Sequence, residues 1–123
     1  QRELPDTYIY LSRAGVYTKY DRDINELSSA SCIYKVRDIC IVLVDNNKWR
    51  KQKALSPLHV DYAYICRGFY GSVADLKRLF QIKQVVLDTS LEDSYREKLK
   101  RECEIYGLNY IDMSEKGSYA ILL

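Results

Sequence analysis

Histidine is almost absent from this chain. His59 is the single histidine among 123 residues, so no His-x-His-x-Asp-His motif occurs. His59 also lies at the start of a predicted strand. Ligands usually bind at the opposite end, the carboxyl edge of the sheet. We therefore expect His59 at the surface, and a hydrolase that activates water on a bound metal would lack its usual ligands.

Paired cysteines are missing as well. The four cysteines, Cys32, Cys40, Cys66 and Cys103, form no Cys-x-x-Cys pair, so cysteine-bound zinc is not expected. Cys40 and Cys66 fall in apolar, strand-like runs and Cys103 on the apolar face of a predicted helix, which predicts buried thiols. A Cys40–Cys66 disulfide between neighbouring strands is the alternative.

The sequence also lacks long apolar runs, a signal peptide and a strong net charge. No stretch approaches the roughly 20 apolar residues of a membrane span, and no Walker A loop occurs. The formal net charge of +2 does not by itself indicate nucleic acid. The chain starts at Gln1 rather than Met, with the apolar pattern soon after it, so we expect a soluble segment of a longer protein.

What the chain does contain is centred on one strand and the turn after it. Residues 60–66 form a nearly continuous apolar run, as expected for a strand buried on both faces. Gly68 and Gly71 then allow a turn, and Ser72 can cap the next helix. Asp75, three residues after Ser72, approximates a capping box. Because this turn lies at the carboxyl edge of a sheet, it is the first place to look for a site.

The rest of the second half repeats this strand-turn-helix step. The first helix is expected to end near Gln81, and a strand follows at 84–88. Ser90 with Asp93 is expected to start the second helix by the same capping device. The last two strands, 109–113 and 118–123, are expected to form a hairpin around Glu115-Lys116-Gly117.

The second predicted helix has an apolar stripe, formed by Tyr95, Leu99, Cys103 and Tyr106. The charged residues between them, Arg96 among them, are expected on a solvated face. Gly107 is placed as the helix stop.

The first part of the chain, residues 1–55, is β-rich and its layout stays open. A strand is predicted at Tyr8–Ser12, and Val16–Tyr20 either extends it or pairs with it. One helical turn is predicted within residues 21–31. Asp38–Asp45 is the most β-branched run and predicts a central strand. We therefore predict one domain over residues 1–123, of the α/β class, with a mixed sheet and two crossover helices in the second half.

Two sets of residues are candidates for function. The carboxyl-edge set comprises Gly68, Gly71, Ser72, Asp88 and Ser90. Asp88 and Arg67 end neighbouring predicted strands, so they are expected to form either a structural salt bridge or the remnant of a site.

The second set is the basic segment, Lys48, Trp49, Arg50, Lys51 and Lys53, in which one aromatic ring stands among four cations. It suits contact with nucleic acid or acidic lipid. A solvated hairpin tip is the alternative. If DNA binds, we expect contact by this segment and Arg67.

The order of signals over residues 56–123 resembles the closing half of a metallo-β-lactamase-like domain, as found at the C-terminus of ComEC-family DNA-internalisation (competence) proteins. It is most similar to the shorter ComEC-type proteins of Bacteroidetes-like bacteria. Val60-Asp61 leads the strand, Gly71-Ser72 hold the Gly-Ser places of the family's His-His-Gly-Ser turn, and Gly117-Ser118-Tyr119-Ala120-Ile121 holds the last strand. The resemblance implies a soluble domain of a bacterial inner-membrane protein that takes up DNA.

One departure from that family pattern concerns the metal. Where metal-binding relatives carry His-His, this chain has Phe69-Tyr70, which cannot serve as ordinary zinc or manganese ligands. We therefore expect no catalytic residues, no metal and no cofactor, and a domain that assists or supports DNA internalisation, with single-stranded DNA and the parent protein as partners.

Two alternatives of other classes remain open. One is a nuclease that holds a metal through oxygen ligands, Asp61, Asp88, Asp112 and Glu115. The other is a protein-interaction or oligomerisation module, since an exposed tyrosine surface suits a protein partner as well as DNA.

Overall fold

The computed structural model describes residues 8–12, 15–18, 24–28, 33–47, 56–113 and 119–122. These residues form nine strands and two helices. In chain order they are β1 (Tyr8–Ser12), β2 (Gly15–Thr18), β3 (Ile24–Ser28), β4 (Ile33–Val36), β5 (Ile39–Val44), β6 (Leu58–Ile65), α1 (Val73–Lys77), β7 (Phe80–Leu87), α2 (Asp93–Tyr106), β8 (Asn109–Asp112) and β9 (Tyr119–Leu122).

The main sheet has six strands in the order β3-β4-β5-β6-β7-β8. Strands β3, β4 and β5 pair antiparallel, whereas β5 to β8 pair parallel with their neighbours. Helix α1 connects β6 to β7 and α2 connects β7 to β8, as parallel neighbours require. The prediction of an α/β fold with a mixed sheet and two crossover helices is confirmed.

The helices lie on one face of this sheet. Val73 and Leu76 of α1 and Leu99 and Cys103 of α2 share an apolar cluster with residues of β5, β6 and β7. A second buried cluster lies on the other face and includes Tyr64. Strands buried on both faces account for the continuous apolar runs in β5 and β6.

The second, smaller sheet has the order β2-β1-β9, with both pairings antiparallel. It confirms that the segment after β1 pairs with it. The predicted hairpin of the last two strands is wrong, because β8 pairs with β7 and β9 pairs with β1 in the other sheet. The turn residues 115–117 lie outside the described residues. The hairpin was predicted because the two segments are close in sequence. In the structure β9 instead pairs with β1, near the opposite end of the chain.

Several local predictions also need correction. The helical turn expected within 21–31 is wrong where the structure describes it, since Ile24–Ser28 is strand β3. Strand β4, which the sequence did not reveal, separates β3 from the predicted central strand β5. Helix α1 ends at Lys77, and β7 begins at Phe80, so the helix is shorter and the strand longer than expected.

The cysteines described are free. Cys40, Cys66 and Cys103 are buried thiols, so the alternative Cys40–Cys66 disulfide is wrong; Cys32 lies outside the described residues. Burial, together with the nearby Glu102 and Glu104, raises the pKa of Cys103 to about 11. At neutral pH this thiol is protonated and acts as a small apolar side chain.

Candidate functional site

Four strand ends meet at one edge of the main sheet. Because β5, β6, β7 and β8 run parallel, their carboxyl ends lie side by side, and the turns that follow β6 and β7 both lead into helices. We call residues 66–72 the first turn and residues 88–92 the second turn. In open α/β sheets ligands bind at such an edge.

Close packing fixes the backbone of the first turn. Gly68 has a φ of +116°, and a Cβ there would lie 2.1 Å from the carbonyl oxygen of Asp45, which follows β5. At Gly71 a Cβ would lie 2.6 Å from the ring of Phe69, and Phe69 is fully buried. Only glycine fits at these two positions, which explains why both carboxyl-edge glycines are present.

Ser72 caps α1 as predicted. The Asp75 amide donates to Ser72 Oγ at 3.2 Å, and the Ser72 amide donates to Asp75 Oδ2 at 2.9 Å, completing the capping box. Desolvation opposes ionisation of Asp75, but hydrogen bonds from the Ser72 amide and from Arg78 outweigh it and lower the pKa of Asp75. The Val73 amide also donates to Glu102 Oε1 of α2 at 2.7 Å.

The second turn is built on a buried carboxylate. Asp88 is 2% exposed; its Oδ1 accepts from the Tyr64 hydroxyl at 2.5 Å and its Oδ2 from the Ser90 amide at 3.0 Å. Burial first, and then the hydrogen bond to Asp88, raise the pKa of Tyr64. The phenol therefore stays protonated and donates.

Arg67 and Asp88 do not form the predicted salt bridge. The Arg67 amide donates instead to Ser90 Oγ at 3.0 Å, so Ser90 bridges the two turns between Asp88 and the Arg67 backbone. The Arg67 side chain is exposed. Sequence reasoning placed Arg67, Asp88 and Ser90 at the same edge correctly, but it did not predict that the Ser90 amide and the Tyr64 hydroxyl bind the Asp88 oxygens.

Ser90 is not a helix cap. The N-cap of α2 is Glu92, whose side chain makes no capping hydrogen bond. The turn is held by Arg96, whose guanidinium donates to the carbonyl oxygens of Thr89 and Leu91 at 3.1 and 2.6 Å. Arg96 is 5% exposed, so its predicted place on the solvated face is wrong.

A small cleft lies between the two turns. Six residues line it: Arg67, Phe69, Tyr70, Leu91, Glu92 and Tyr95. It is partly open to solvent, and its enclosed space of about 10 Å³ suffices for roughly one water molecule, so a larger group would contact its exposed rim. Tyr70 is 53% exposed, and its ring centroid lies 6.2 Å from that of Tyr95, with the rings tilted by 45°. The cleft therefore offers an aromatic ring, a cation and a carboxylate together.

Two features place Tyr70 at this cleft. The Tyr70 amide donates to Asn47 Oδ1 at 2.7 Å, and the Tyr95 hydroxyl donates to the Gly71 carbonyl oxygen at 2.5 Å. Sequence reasoning noticed Tyr70 only as a replaced metal ligand. Nothing in the sequence separated the two residues, because Phe69 and Tyr70 both lie between Gly68 and Gly71, yet only Tyr70 is exposed.

The basic segment, from Lys48 to Lys53, lies outside the described residues. It begins one residue after Asn47, whose side chain is bound to the first turn. Both interpretations of this segment, DNA contact and a solvated hairpin tip, therefore stay predictions; the strands before and after it, β5 and β6, are parallel.

The acidic residues considered as metal ligands have separate structural partners. Asp61 Oδ2 accepts from the Cys40 amide at 2.8 Å, and its Oδ1 lies 3.6 Å from Nε2 of the largely exposed His59. Asp112 Oδ2 lies 2.5 Å from Lys100 Nζ, and its Oδ1 lies 3.5 Å from Arg96 Nε. Glu115 lies outside the described residues.

The first turn does not fit a metal either. The buried ring of Phe69 fills the interior of this turn, and a phenyl ring supplies no ligand for a metal. Within the part of the chain that the structure describes, no group of three or more His, Cys, Asp or Glu side chains is arranged to hold a metal ion.

Comparison with known proteins identifies the family. The family model of the ComEC C-terminal domain matches residues 5–123. This chain belongs to the ComEC C-terminal domain family. The family associates the chain with DNA uptake in competence, and ComEC-family proteins are membrane-associated. Neither curated proteins nor solved structures give a match.

One finding bears on the membrane. Among the helices in the described ranges, none is long and apolar enough to cross a bilayer.

Proposed function

We propose that this ComEC C-terminal domain is a non-catalytic soluble domain of a bacterial inner-membrane DNA-uptake protein, and that it assists internalisation by contacting single-stranded DNA without sequence preference. One observation carries the proposal. The first turn presents exposed Arg67 and Tyr70 on either side of Phe69, which is fully buried. An exposed cation and an exposed aromatic ring in one turn suit contact with a strand of DNA better than coordination of a metal.

The partners of the acidic residues support a non-catalytic role. Asp88 binds Tyr64 and Ser90, Asp112 pairs with Lys100, and Asp61 binds the Cys40 amide. A two-metal nuclease needs carboxylates that converge on metals about 4 Å apart. Because each of these carboxylates is already bound by donors of the protein itself, they are poor candidates for such a clamp.

Contact with DNA is supported by the positive charge of Arg67 and by the position of the basic segment in the sequence. Arg67 is exposed on the turn whose Tyr70 amide binds Asn47, and the four cations of the basic segment follow Asn47 directly in the chain. Cations that contact phosphates give binding that is independent of sequence and weakens with salt. Aromatic side chains such as Tyr70 and Trp49 add stacking on unpaired bases.

Fluorescence anisotropy tests the binding part of this proposal. The purified domain is titrated into labelled single-stranded and double-stranded oligonucleotides of the same length at low salt. We expect tighter binding to the single strand, because only unpaired bases can stack on the exposed rings. Absence of binding to either oligonucleotide would contradict the DNA-contact role. Sedimentation at several protein concentrations would then test the alternative, that the domain is an oligomerisation module.

Calorimetry and a cleavage assay test the non-catalytic part. We expect no stoichiometric binding of Mn²⁺ or Mg²⁺ and no cleavage of the same oligonucleotides with either metal added. Tight, stoichiometric metal binding accompanied by cleavage would overturn the proposal in favour of the nuclease.

A further inference from the structure

The cleft between the two turns combines three groups that recognise different parts of a nucleotide. Tyr70, Arg67 and Glu92 are all exposed and line the same cleft. We propose that this cleft binds one nucleotide of single-stranded DNA, with the base stacked on Tyr70, a phosphate at Arg67 and an amino group of the base donating to Glu92. The inference rests on the proposed DNA-contact function and adds a preference among bases to it.

Tyr70 is exposed but rigidly placed. Its neighbours in sequence, Phe69 and Gly71, are both buried, and its own amide is bound by Asn47 Oδ1. The Gly71 carbonyl accepts from Tyr95. Because the backbone on both sides is fixed before a ligand arrives, stacking a base on this ring costs little ordering of the turn.

Tyr95 forms the wall of the cleft rather than a second stacking platform. Its hydroxyl is bound to Gly71, and Lys98 Nζ lies 5.5 Å from its ring centroid. The 45° tilt between the rings of Tyr70 and Tyr95 shows that they do not stack face to face. A base therefore has the exposed ring of Tyr70 as its stacking partner.

Glu92 gives the cleft its chemical selectivity. As the N-cap of α2 it makes no side-chain capping bond, so helix capping does not occupy its carboxylate. A carboxylate repels phosphate, which favours the phosphate at Arg67 and the base near Glu92. Carboxylates accept a hydrogen bond from the N4 amino group of cytosine, whereas thymine presents a carbonyl oxygen at the same ring position.

Anisotropy with labelled oligo(dC), against three tyrosine variants, tests the stacking. Tyr70→Ala should weaken binding about fivefold or more, since stacking on an aromatic ring contributes at least that much per base. Tyr70→Phe keeps the ring and should bind like the unmodified domain. The matched control is Tyr106→Ala. It removes a ring that is 42% exposed and lies about 16 Å along α2 from Tyr95, so it should leave affinity unchanged. Equal losses for Tyr70→Ala and Tyr106→Ala would overturn the proposal.

Comparison of oligo(dC) with oligo(dT), at the same length, salt and slightly alkaline pH, tests the role of Glu92. We expect oligo(dC) to bind about threefold tighter. Glu92→Gln should bring the two affinities together, because an amide can accept from cytosine and also donate to thymine. A general charge effect would instead strengthen both equally and keep their ratio, and that result would contradict the readout by Glu92.

These outcomes separate the two hypotheses. DNA binding that persists in Tyr70→Ala but is lost when the cations of the basic segment are replaced by alanine overturns the cleft and leaves the proposed function standing. No binding to any oligonucleotide overturns both.

Discussion

In the first turn a serine caps the helix that follows it, whereas in the second turn the corresponding serine reaches back to the neighbouring turn. Ser72 and Asp75 exchange hydrogen bonds within one helical turn. Ser90 accepts from the Arg67 amide, and the backbone of its turn is bound by the buried Arg96. The serine of the first turn therefore acts within its own helix, whereas the serine of the second turn binds a residue 23 positions earlier in the chain, which only the folded sheet brings near.

This difference has a consequence for the site. The second turn joins the first through Ser90, and the first joins the connection after β5 through Asn47. The first turn is thus fixed by side chains of two other loops, and the second turn is held by Arg96 of α2. The predictions below test this contrast, from the largest expected effect to the smallest.

Arg96→Ala should destabilise the domain by about 3 kcal/mol, because it leaves the buried carbonyl of Leu91 and the partly buried carbonyl of Thr89 without their donor. Urea denaturation measures the free energy of unfolding. The matched control is Arg101→Ala, an exposed arginine on the same helix, which should change that energy by less than about 0.5 kcal/mol. Similar losses in both variants would show that Arg96 does not hold the second turn.

Tyr64→Phe should cost about 2 kcal/mol, since it removes the hydroxyl that donates to the buried Asp88. The aromatic ring and its packing are retained, so the loss reports the hydrogen bond. The double variant Tyr64→Phe with Asp88→Asn should not be additive in the same denaturation experiment, because the two groups interact directly. Additive losses would contradict the direct pairing.

Ser72→Ala should cost about 1 kcal/mol, the usual effect of losing an N-cap side chain. Ser72→Asp should retain most of the stability, because aspartate also caps helices. At the second turn the contrast predicts the opposite: Ser90→Asp should destabilise, since a carboxylate there would face Asp88, whose Oδ2 binds the Ser90 amide. Thermal melts of these three variants decide whether the two serines differ as described.

The smallest effect concerns pH. The pKa of Asp75 is lowered from its ordinary value of 3.8, so ionised Asp75 stabilises the folded state above that value, and this contribution disappears as the pH falls through the lowered pKa. The difference in urea midpoint between the unmodified domain and Asp75→Asn should therefore narrow between about pH 6 and pH 3. The exposed Asp38→Asn variant serves as control, and a gap that widens on acidification would contradict the assignment.

The same contrast shows which features could be predicted from sequence. The apolar runs of β5 and β6, the glycines of the first turn and the Ser72 capping box all depend on residues close together in the chain. These were predicted correctly, as was the helix stop at Gly107, whose φ is +70°.

Features that depend on contacts formed only in the folded domain were not predictable in the same way. Arg96 has the spacing of a solvated residue, and only the carbonyls of the second turn explain its burial. Tyr106 belongs to the apolar stripe of α2 by its spacing but is 42% exposed, with Lys77 Nζ 4.4 Å from its ring centroid. The partner of β9 lies at the opposite end of the chain.

The salt dependence of single-stranded DNA binding tests the central claim most directly. The measurement compares the unmodified domain with a variant in which Lys48, Arg50, Lys51 and Lys53 are replaced by alanine, over a range of salt concentrations. For single strands each phosphate contact contributes about 0.7 to the slope of log affinity against log salt concentration. If the basic segment contacts the strand, the variant should bind more weakly with a slope smaller by up to about 2.8. Unchanged affinity and slope in the variant, or no binding by the unmodified domain at low salt, would contradict the account.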